Sequence, residues 1–585
     1  MTSLFKYFRR REWLLLCASL AFIVAGVWLD LKMPDYMYTI TGLVQTEGSA
    51  MSDIWLNGCW MLLCCLGSLA TAFIVGFLAA QIGASFAKRI RSALFSKVIS
   101  FSMGNINQFS TASLITRSTN DITQVQMIVT MGLTLLVRAP ILAVWAVIKI
   151  TGKGIEWTAA TGIAVAILLA MFGIMLVFVL PKFKRMQILT DNINKVAREN
   201  LTGLAVVRAY NAEKHQESKF DKANEELTRT HLFTSRAMAV VQPTLALIMN
   251  GLLLAVYLIG AVLINKADWG ERLILFPNMI VFSAYSMQVI MAFMMISILF
   301  VILPRAQISA KRISEVLNTK PSINSGRKTS GQPDKAGTLQ FRKVSFKFPQ
   351  ATKYVLQDVS FSVNRGETVA IIGSTGSGKS TLINLAMRFY DVTEGEVLID
   401  GVDVRDYNSE SLYQKIGYIP QRAIIFSGTV SSNVAFGQAE TGEMIAHDIK
   451  SAVRIAQGAD FVEKMDGAFD AQISRSGNNI SGGQKQRLSI ARAIYKKPTI
   501  LLFDDSFSAL DYKTDRALRT ALKKELIGIT SIIVAQRIGT IMDADKIVVL
   551  DNGGVVGIGK HKELLSSCKV YKEIAMSQLC EEELS

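Results

Sequence analysis

Six apolar segments fill about half of the first 303 residues, at about 13–31, 54–81, 127–150, 157–180, 238–264 and 273–303. Each is near or above the roughly 20 residues that a helix needs to cross a hydrocarbon layer. Lys6, Arg9, Arg10 and Arg11 precede the first, and no small-x-small cleavage site follows it, so an uncleaved membrane helix is expected rather than a signal peptide. Half of the 585 residues are hydrophobic, which agrees with a membrane protein. The net charge of +16, from 63 Lys and Arg against 47 Asp and Glu, could suggest nucleic acid. Because the basic residues flank the apolar segments, they are read instead as cytoplasmic loops against a lipid bilayer, with no nucleic-acid partner. Of six cysteines, Cys17, Cys59, Cys64 and Cys65 lie in apolar stretches and Cys568 and Cys580 near the C-terminus, with neither disulfide nor metal-ligand spacing.

The connections alternate. Residues 41–51 hold no Lys or Arg, whereas 83–126 and 181–237 are long and polar and carry Lys88, Arg89, Arg91 and Lys97 in one and Lys182, Lys184 and Arg185 in the other. By the positive-inside rule these two loops and the N-terminus are cytoplasmic, and their helical pattern extends the membrane helices as rods. Arg138 sits midway along the third span, where an ionisable group either lines a cavity or holds helices together as an ion pair. Asp30 and Lys32 are expected at the membrane interface. The sixth span carries Met287, Gln288, Met291, Phe293, Met294 and Met295 at helical spacing. With Arg138, the residues Met287, Gln288, Met291 and Met295 form a candidate cargo cavity, against ordinary packing as the plainer reading.

Residues 318–336 are rich in Ser, Gly, Pro and Lys and mark a boundary. Three regions are therefore expected: an α-helical polytopic domain over 1–317, a linker over 318–336, and an α/β domain over 337–585 whose apolar runs shorten to strand length. Within it, the apolar run 369–372 leads into Gly373, Ser374, Thr375, Gly376, Ser377, Gly378, Lys379, Ser380 and Thr381 and then a helical pattern. This is a complete phosphate-binding loop in its strand-to-helix context. Its backbone amides suit the phosphates of ATP, Lys379 the β/γ oxygens, and the Ser380 hydroxyl Mg²⁺. A second apolar strand, within 499–511, ends in Asp504, placed to hold Mg²⁺, and Asp505, placed where an ATPase needs a carboxylate to orient water.

Further residues resemble the ABC (ATP-binding cassette) ATPases. Ile480, Ser481, Gly482, Gly483, Gln484, Lys485, Gln486 and Arg487 resemble that family's signature; Gln421 resembles its glutamine loop, a Mg²⁺ contact; and Ser508, Ala509, Leu510 and Asp511 resemble its D-loop. The six spans and the segment 199–213 are similar to the membrane half of ABC exporters. The resemblance implies half of a transporter in the plasma membrane, with its nucleotide domain cytoplasmic. It also implies that ATP is sandwiched between one chain's phosphate loop and the signature of the other, here Ser481, Gly482, Gly483 and Gln484.

Four positions depart from that pattern. The glutamate expected after the magnesium aspartate is Asp505, one methylene shorter, which retracts a general base by roughly a bond length. The histidine expected after the last core strand is Gln536, an amide that can hydrogen-bond phosphate but cannot carry charge or relay a proton. Phe348 replaces the commoner tyrosine expected to stack on adenine, and Arg475 stands where a glutamate precedes the signature. Asp505 and Gln536 both fall on the chain's own ATP site, beside an intact phosphate loop. The expectation is an impaired-site subunit whose heterodimeric partner supplies a catalytic Glu and His, exporting small amphipathic, multidrug-type compounds. Peptide or lipid cargo, a homodimer with tolerated changes, and an ATP-gated channel or regulator are the alternatives.

Overall fold

The computed structural model describes residues 2–46, 48–151, 153–349, 351–437 and 446–579, so Cys580 lies outside the described residues. The chain separates into two compact units, Met1–Ile99 with Thr111–Thr319, and Ser100–Ser110 with Lys320–Ser585.

The first unit holds the six expected helices, spanning Arg10–Gln45, Met51–Ile99, Thr111–Ile150, Ile155–Thr202, Glu213–Lys266 and Gly270–Ile298. The fifth has 54 residues, roughly 80 Å at 1.5 Å per residue, far more than the ~30 Å of a hydrocarbon core. Its polar N-terminal half must therefore project beyond the bilayer. Large apolar side chains face outward, with Phe73 72% and Phe77 70% exposed. That would be a liability in water and is the ordinary outer surface of a protein solvated by lipid. Inside, Trp157 is fully buried, donates from Nε1 to the Val256 carbonyl at 3.1 Å and packs on Phe282. Gly260 permits the same packing, since a Cβ there would come within 2.3 Å of the Met279 sulfur.

The third span is not a continuous α-helix. Leu133–Val137 forms a π-turn directly before Arg138–Ile150. Pro140 accounts for it, because its ring lacks the N–H that would bond the Leu136 carbonyl and crowds that carbonyl. Arg138 emerges from this turn and pairs with Asp30 at 2.7 Å. Asp30 also accepts from the Ser68 hydroxyl, and its backbone carbonyl accepts from Gln288 Nε2 at 3.2 Å. Asp30, expected at the membrane interface, thus also serves the third span. The first helix runs on to Gln45, and its carboxylate is drawn inward as the counter-ion of Arg138. One turn onward, Asp35 takes Lys149 at 2.6 Å, with Lys32 at 3.8 Å and the Tyr285 hydroxyl on its other oxygen.

In the second unit the central sheet is built from β1 (Thr368–Gly373), β2 (Ile416–Ile419), β3 (Ile500–Asp504), β4 (Thr530–Val534), β5 (Lys546–Asp551) and β6 (Gly554–Gly559). Its order is β6-β5-β1-β4-β3-β2, parallel except for β6. β3 is buried along its whole length, which is why it reads as an unbroken apolar run. A four-stranded antiparallel sheet, Leu339–Phe346, Leu356–Val363, Glu394–Ile399 and Val402–Asp403, shares one buried core with a face of the central sheet, where Phe341 and Val397 cluster with Ile371, Leu502 and Ile532. Residues 319–336 are not a loose tether. The Gly326, Lys328 and Gln332 amides bond the carbonyls of Tyr407, Asp406 and Asp400 at 2.8, 2.9 and 2.9 Å. A Cβ on Gly326 would meet the Asp406 oxygen at 2.1 Å, so the glycine there serves close approach rather than flexibility.

The tip of the first long loop belongs to this unit. Met103–Phe109 is a seven-residue helix capped by Ser102; the Asn105 side chain accepts from the Ser322 amide at 2.9 Å, and Asn107 donates to the Tyr390 hydroxyl at 3.1 Å.

Candidate nucleotide site

The parallel order brings four loops to one edge of the sheet, since β1, β4, β3 and β2 are neighbours and all end there. From them come, in turn, the phosphate loop, Gln536, the pair Asp504 and Asp505, and Gln421. The crevice at the carboxyl ends of such strands is where open α/β sheets bind ligands.

The phosphate loop turns on Gly376 (φ +85°) and Gly378 (φ +97°), and a Cβ on Gly376 would meet nothing within 4 Å, so this stretch of backbone is open. The Lys379 ammonium curls back to the carbonyls of Gly373 at 2.9 Å and Ser374 at 2.8 Å. Burial holds its pKa below the usual lysine value, so an anion arriving there would be welcomed by a partly desolvated cation. Ser377 Oγ is buried with no hydrogen-bond partner. An orphaned donor inside a ring of backbone amides fits a phosphate oxygen. Ser380 Oγ donates to Asp504 Oδ1 at 2.7 Å, which puts two hard oxygens side by side at the end of a strand, a donor set suited to Mg²⁺. The residues present therefore fit both ATP and its metal.

Asp504 and Asp505 are 6% and 7% exposed. Burial pushes both carboxyls above the usual range, and for Asp504 the neighbouring Asp505 charge adds to the rise while Ser380 opposes it. Asp505 sits at φ +48°, a left-handed conformation uncommon for a side-chain-bearing residue, and its amide bonds the Val534 carbonyl at 2.9 Å. One of its oxygens, Oδ2, takes two amide donors, Gln536 Nε2 at 2.8 Å and Gln421 Nε2 at 3.2 Å. The two residues that sequence comparison set apart thus touch one another.

Ser481 caps the helix Gly482–Tyr495, its hydroxyl accepting from the Gln484 amide at 3.3 Å while Gln484 Oε1 accepts from the Ser481 amide at 2.8 Å. This closed box leaves the amides of Gly482 and Gly483 at the helix N-terminus for a ligand. Asp511 caps the helix Tyr512–Glu525 through the Thr514 amide at 2.9 Å, and that bond holds its carboxyl below the usual range. Phe348 meets Phe346 and Tyr390 edge to face, at 5.0 and 5.3 Å between centroids. Arg475 is exposed, in a short turn strained at Ser476 (φ 59°). In the first unit, Arg138 and Gln288 are engaged with Asp30, Met291 is 40% exposed, and Met287 and Met295 are partly buried.

Sequence reasoning passed over two residues beside the site. Tyr390 touches Phe348, and its only signal was an aromatic nine residues beyond Thr381. Gln578 bonds the backbone on both sides of Arg537, and nothing in its local sequence announces it.

The family model described as ABC transporter matches residues 356–508, and that described as ABC transporter transmembrane region matches residues 16–293. An uncharacterized ABC transporter ATP-binding protein of Mycobacterium tuberculosis is 38% identical over 561 residues, with 93% of each chain covered. A similarly described protein of Bacillus subtilis is 34% identical with 90% of each covered. An ATP-dependent lipid A-core flippase of Aromatoleum aromaticum is 30% identical, covering 87% of this chain and 83% of its own. Among solved structures, a bacterial Atm1-family ABC exporter with ATP bound superposes with a TM-score of 0.81 over 98% of this chain and 99% of its own, at 22% identity.

Proposed function

The chain belongs to the ABC transporter family, as an exporter half-transporter with an N-terminal transmembrane region fused to an ATP-binding domain, and from that premise we propose that it is the impaired-site subunit of a heterodimer. ATP hydrolysis coupled to transport is the activity of the family. The proposal concerns which site does the hydrolysis. It is carried by one observation, the 2.8 Å hydrogen bond from Gln536 to Asp505.

A general base needs a free lone pair directed at the attacking water, with a neighbour able to handle charge or protons. Asp505 offers a short carboxylate whose Oδ2 is already shared by two amides, and one of the two N–H donors of Gln536 goes to it. Binding is a separate matter. Gly373 to Thr381 would cradle the phosphates, Lys379 would turn from its two carbonyls to the β/γ oxygens, and Ser380, Asp504 and Gln421 would hold Mg²⁺. Bound Mg²⁺ would supply charge neutralisation at the β/γ-phosphates. Phe348 would stack on the adenine. The outcome is ATP held for long periods and slowly cleaved.

The other ATP would lie on the partner's phosphate loop and be completed by Ser481, Gly482, Gly483 and Gln484, with Asp511 beside it. The partner would supply the catalytic Glu and His. The cargo would be a small amphipathic, multidrug-type compound, with the adaptable methionines of the sixth span among its contacts. A lipid is the second reading, supported by the 30% identity to a lipid A-core flippase. The basic long loops support a cytoplasmic N-terminus and nucleotide unit, in the plasma membrane.

Co-expression with candidate half-transporters and ATPase measurement tests the pairing. The purified chain alone should turn over ATP near background and the complex at a rate typical of the family. A chain active alone, whose activity disappears in Asp505→Ala, would instead be a working homodimer.

A further inference from the structure

We infer that Gln578 is a positioning residue for the loop that carries Gln536, tying the C-terminal segment to the γ-phosphate end of the chain's own ATP site. The inference rests on the reading above for ATP at this site, and takes Gln536, an amide able to hydrogen-bond phosphate, as meeting its γ-phosphate.

The loop after β4 keeps one bond to β1, from the Ala535 amide to the Ile371 carbonyl at 3.2 Å. Beyond it, Gln578 takes the place of a neighbouring strand. Its Nε2 donates to the Gln536 carbonyl at 2.8 Å, and its Oε1 accepts from the Ile538 amide at 2.9 Å. A primary amide presents a donor and an acceptor in one plane, so it pairs with residues i and i+2 as a neighbouring strand would. Both bonds fix the orientation of the amide as well as its position. Glutamate would keep the acceptor and lose the donor, and alanine would lose both.

The amide is aimed from a rigid base. Helix Lys569–Met576 buries Tyr571 and Ala575 completely, and Ile574 and Leu579 pack on the core that contains β3. The backbone amides of both Gln578 and Leu579 bond the Ala575 carbonyl, at 3.1 and 3.0 Å, which closes the helix in a turn just where Gln578 projects. On the loop side Ile538 is fully buried. Between these two anchors lies Gln536, whose own side chain is exposed but reaches the buried Asp505. The bonds run in series: Gln578 to the Gln536 backbone, the Gln536 side chain to Asp505, and Gln421 to the same oxygen. Gln578 is itself exposed, but the Ile538 amide it accepts from belongs to a fully buried residue, so losing the contact should cost the fold as well as the aim of Gln536. The two costs are separable, because Gln536 must reach a single atom with a short, three-torsion side chain.

A positioning role at the γ-phosphate predicts selectivity between tri- and diphosphate. In the purified full-length chain, binding of Mg²⁺ with the non-hydrolysable analogue AMP-PNP is compared with binding of ADP. Gln578→Ala should weaken the analogue roughly two- to tenfold, as for one neutral hydrogen bond, and leave ADP unchanged. Gln578→Glu should move in the same direction. Leu579→Ala, which removes packing and not the amide, should lower the melting temperature without altering the ratio. Equal loss of both nucleotides in Gln578→Ala, or no loss, while Gln536→Ala weakens AMP-PNP selectively, overturns the inference and leaves the reading of the site standing. If Gln536→Ala itself is unselective, Gln536 does not meet the γ-phosphate, and both fall.

Discussion

Asp505 is one methylene shorter than a glutamate would be, and one of its carboxylate oxygens takes two amides. Because Gln536 touches Asp505 directly, changes at the two positions should not add. In the proposed heterodimer, Asp505→Glu or Gln536→His alone should alter hydrolysis at this site by less than about threefold. Together they should exceed the product of the single effects by about tenfold, a coupling within the range for residues in contact. Asp504 makes a separate prediction. Burial raises its pKa above 3.8, so the folded site binds its proton more tightly than the unfolded chain does. The carboxylate therefore weighs against the nucleotide-free fold at pH 7, and the penalty fades as pH falls through the raised value towards 3.8. Asp504→Asn should raise the nucleotide-free melting temperature by on the order of 2 °C at pH 7. The gain should shrink towards pH 4, and the stabilisation that MgATP gives the unaltered chain should be lost.

Among the elements, the six spans were legible because length and apolarity suffice to identify a membrane helix. What ties them together was not. Asp30 is 108 residues from Arg138, and no local signal near the end of an apolar run reports a counter-ion on another helix. Arg138 without its partner, or the reverse, leaves a desolvated charge. Arg138→Leu should lower the melting temperature in detergent by on the order of 5 °C. The exchange Asp30→Arg with Arg138→Asp should recover most of it, as fluorescence-detected size exclusion after heating would show. The helix Met103–Phe109 was missed for a different reason. It has seven residues and no apolar periodicity, and it is recognisable only from what Asn105 and Asn107 touch. The phosphate loop was readable residue by residue, whereas the convergence of Gln421, Gln536 and Asp505 depends on the strand order β1-β4-β3-β2, which sequence spacing does not encode.

For the molecule as a whole, the proposal divides labour between two chains, and a glycine can separate them. A Cβ on Gly482 would meet nothing within 4 Å in this chain, so Gly482→Asp should fold normally. If the signature serves the partner's ATP, that variant should cut ATPase of the complex at least about tenfold, because it sets a negative charge where amide donors meet phosphate. Asp505→Ala should change the same rate little. The most direct measurement follows the nucleotide on this chain itself. The complex is allowed many turnovers with photoreactive 8-azido-ATP, cross-linked, and the nucleotide attached to each chain identified. The account predicts intact ATP on this chain and ADP on the partner. ADP appearing on this chain at the rate of bulk turnover would contradict it.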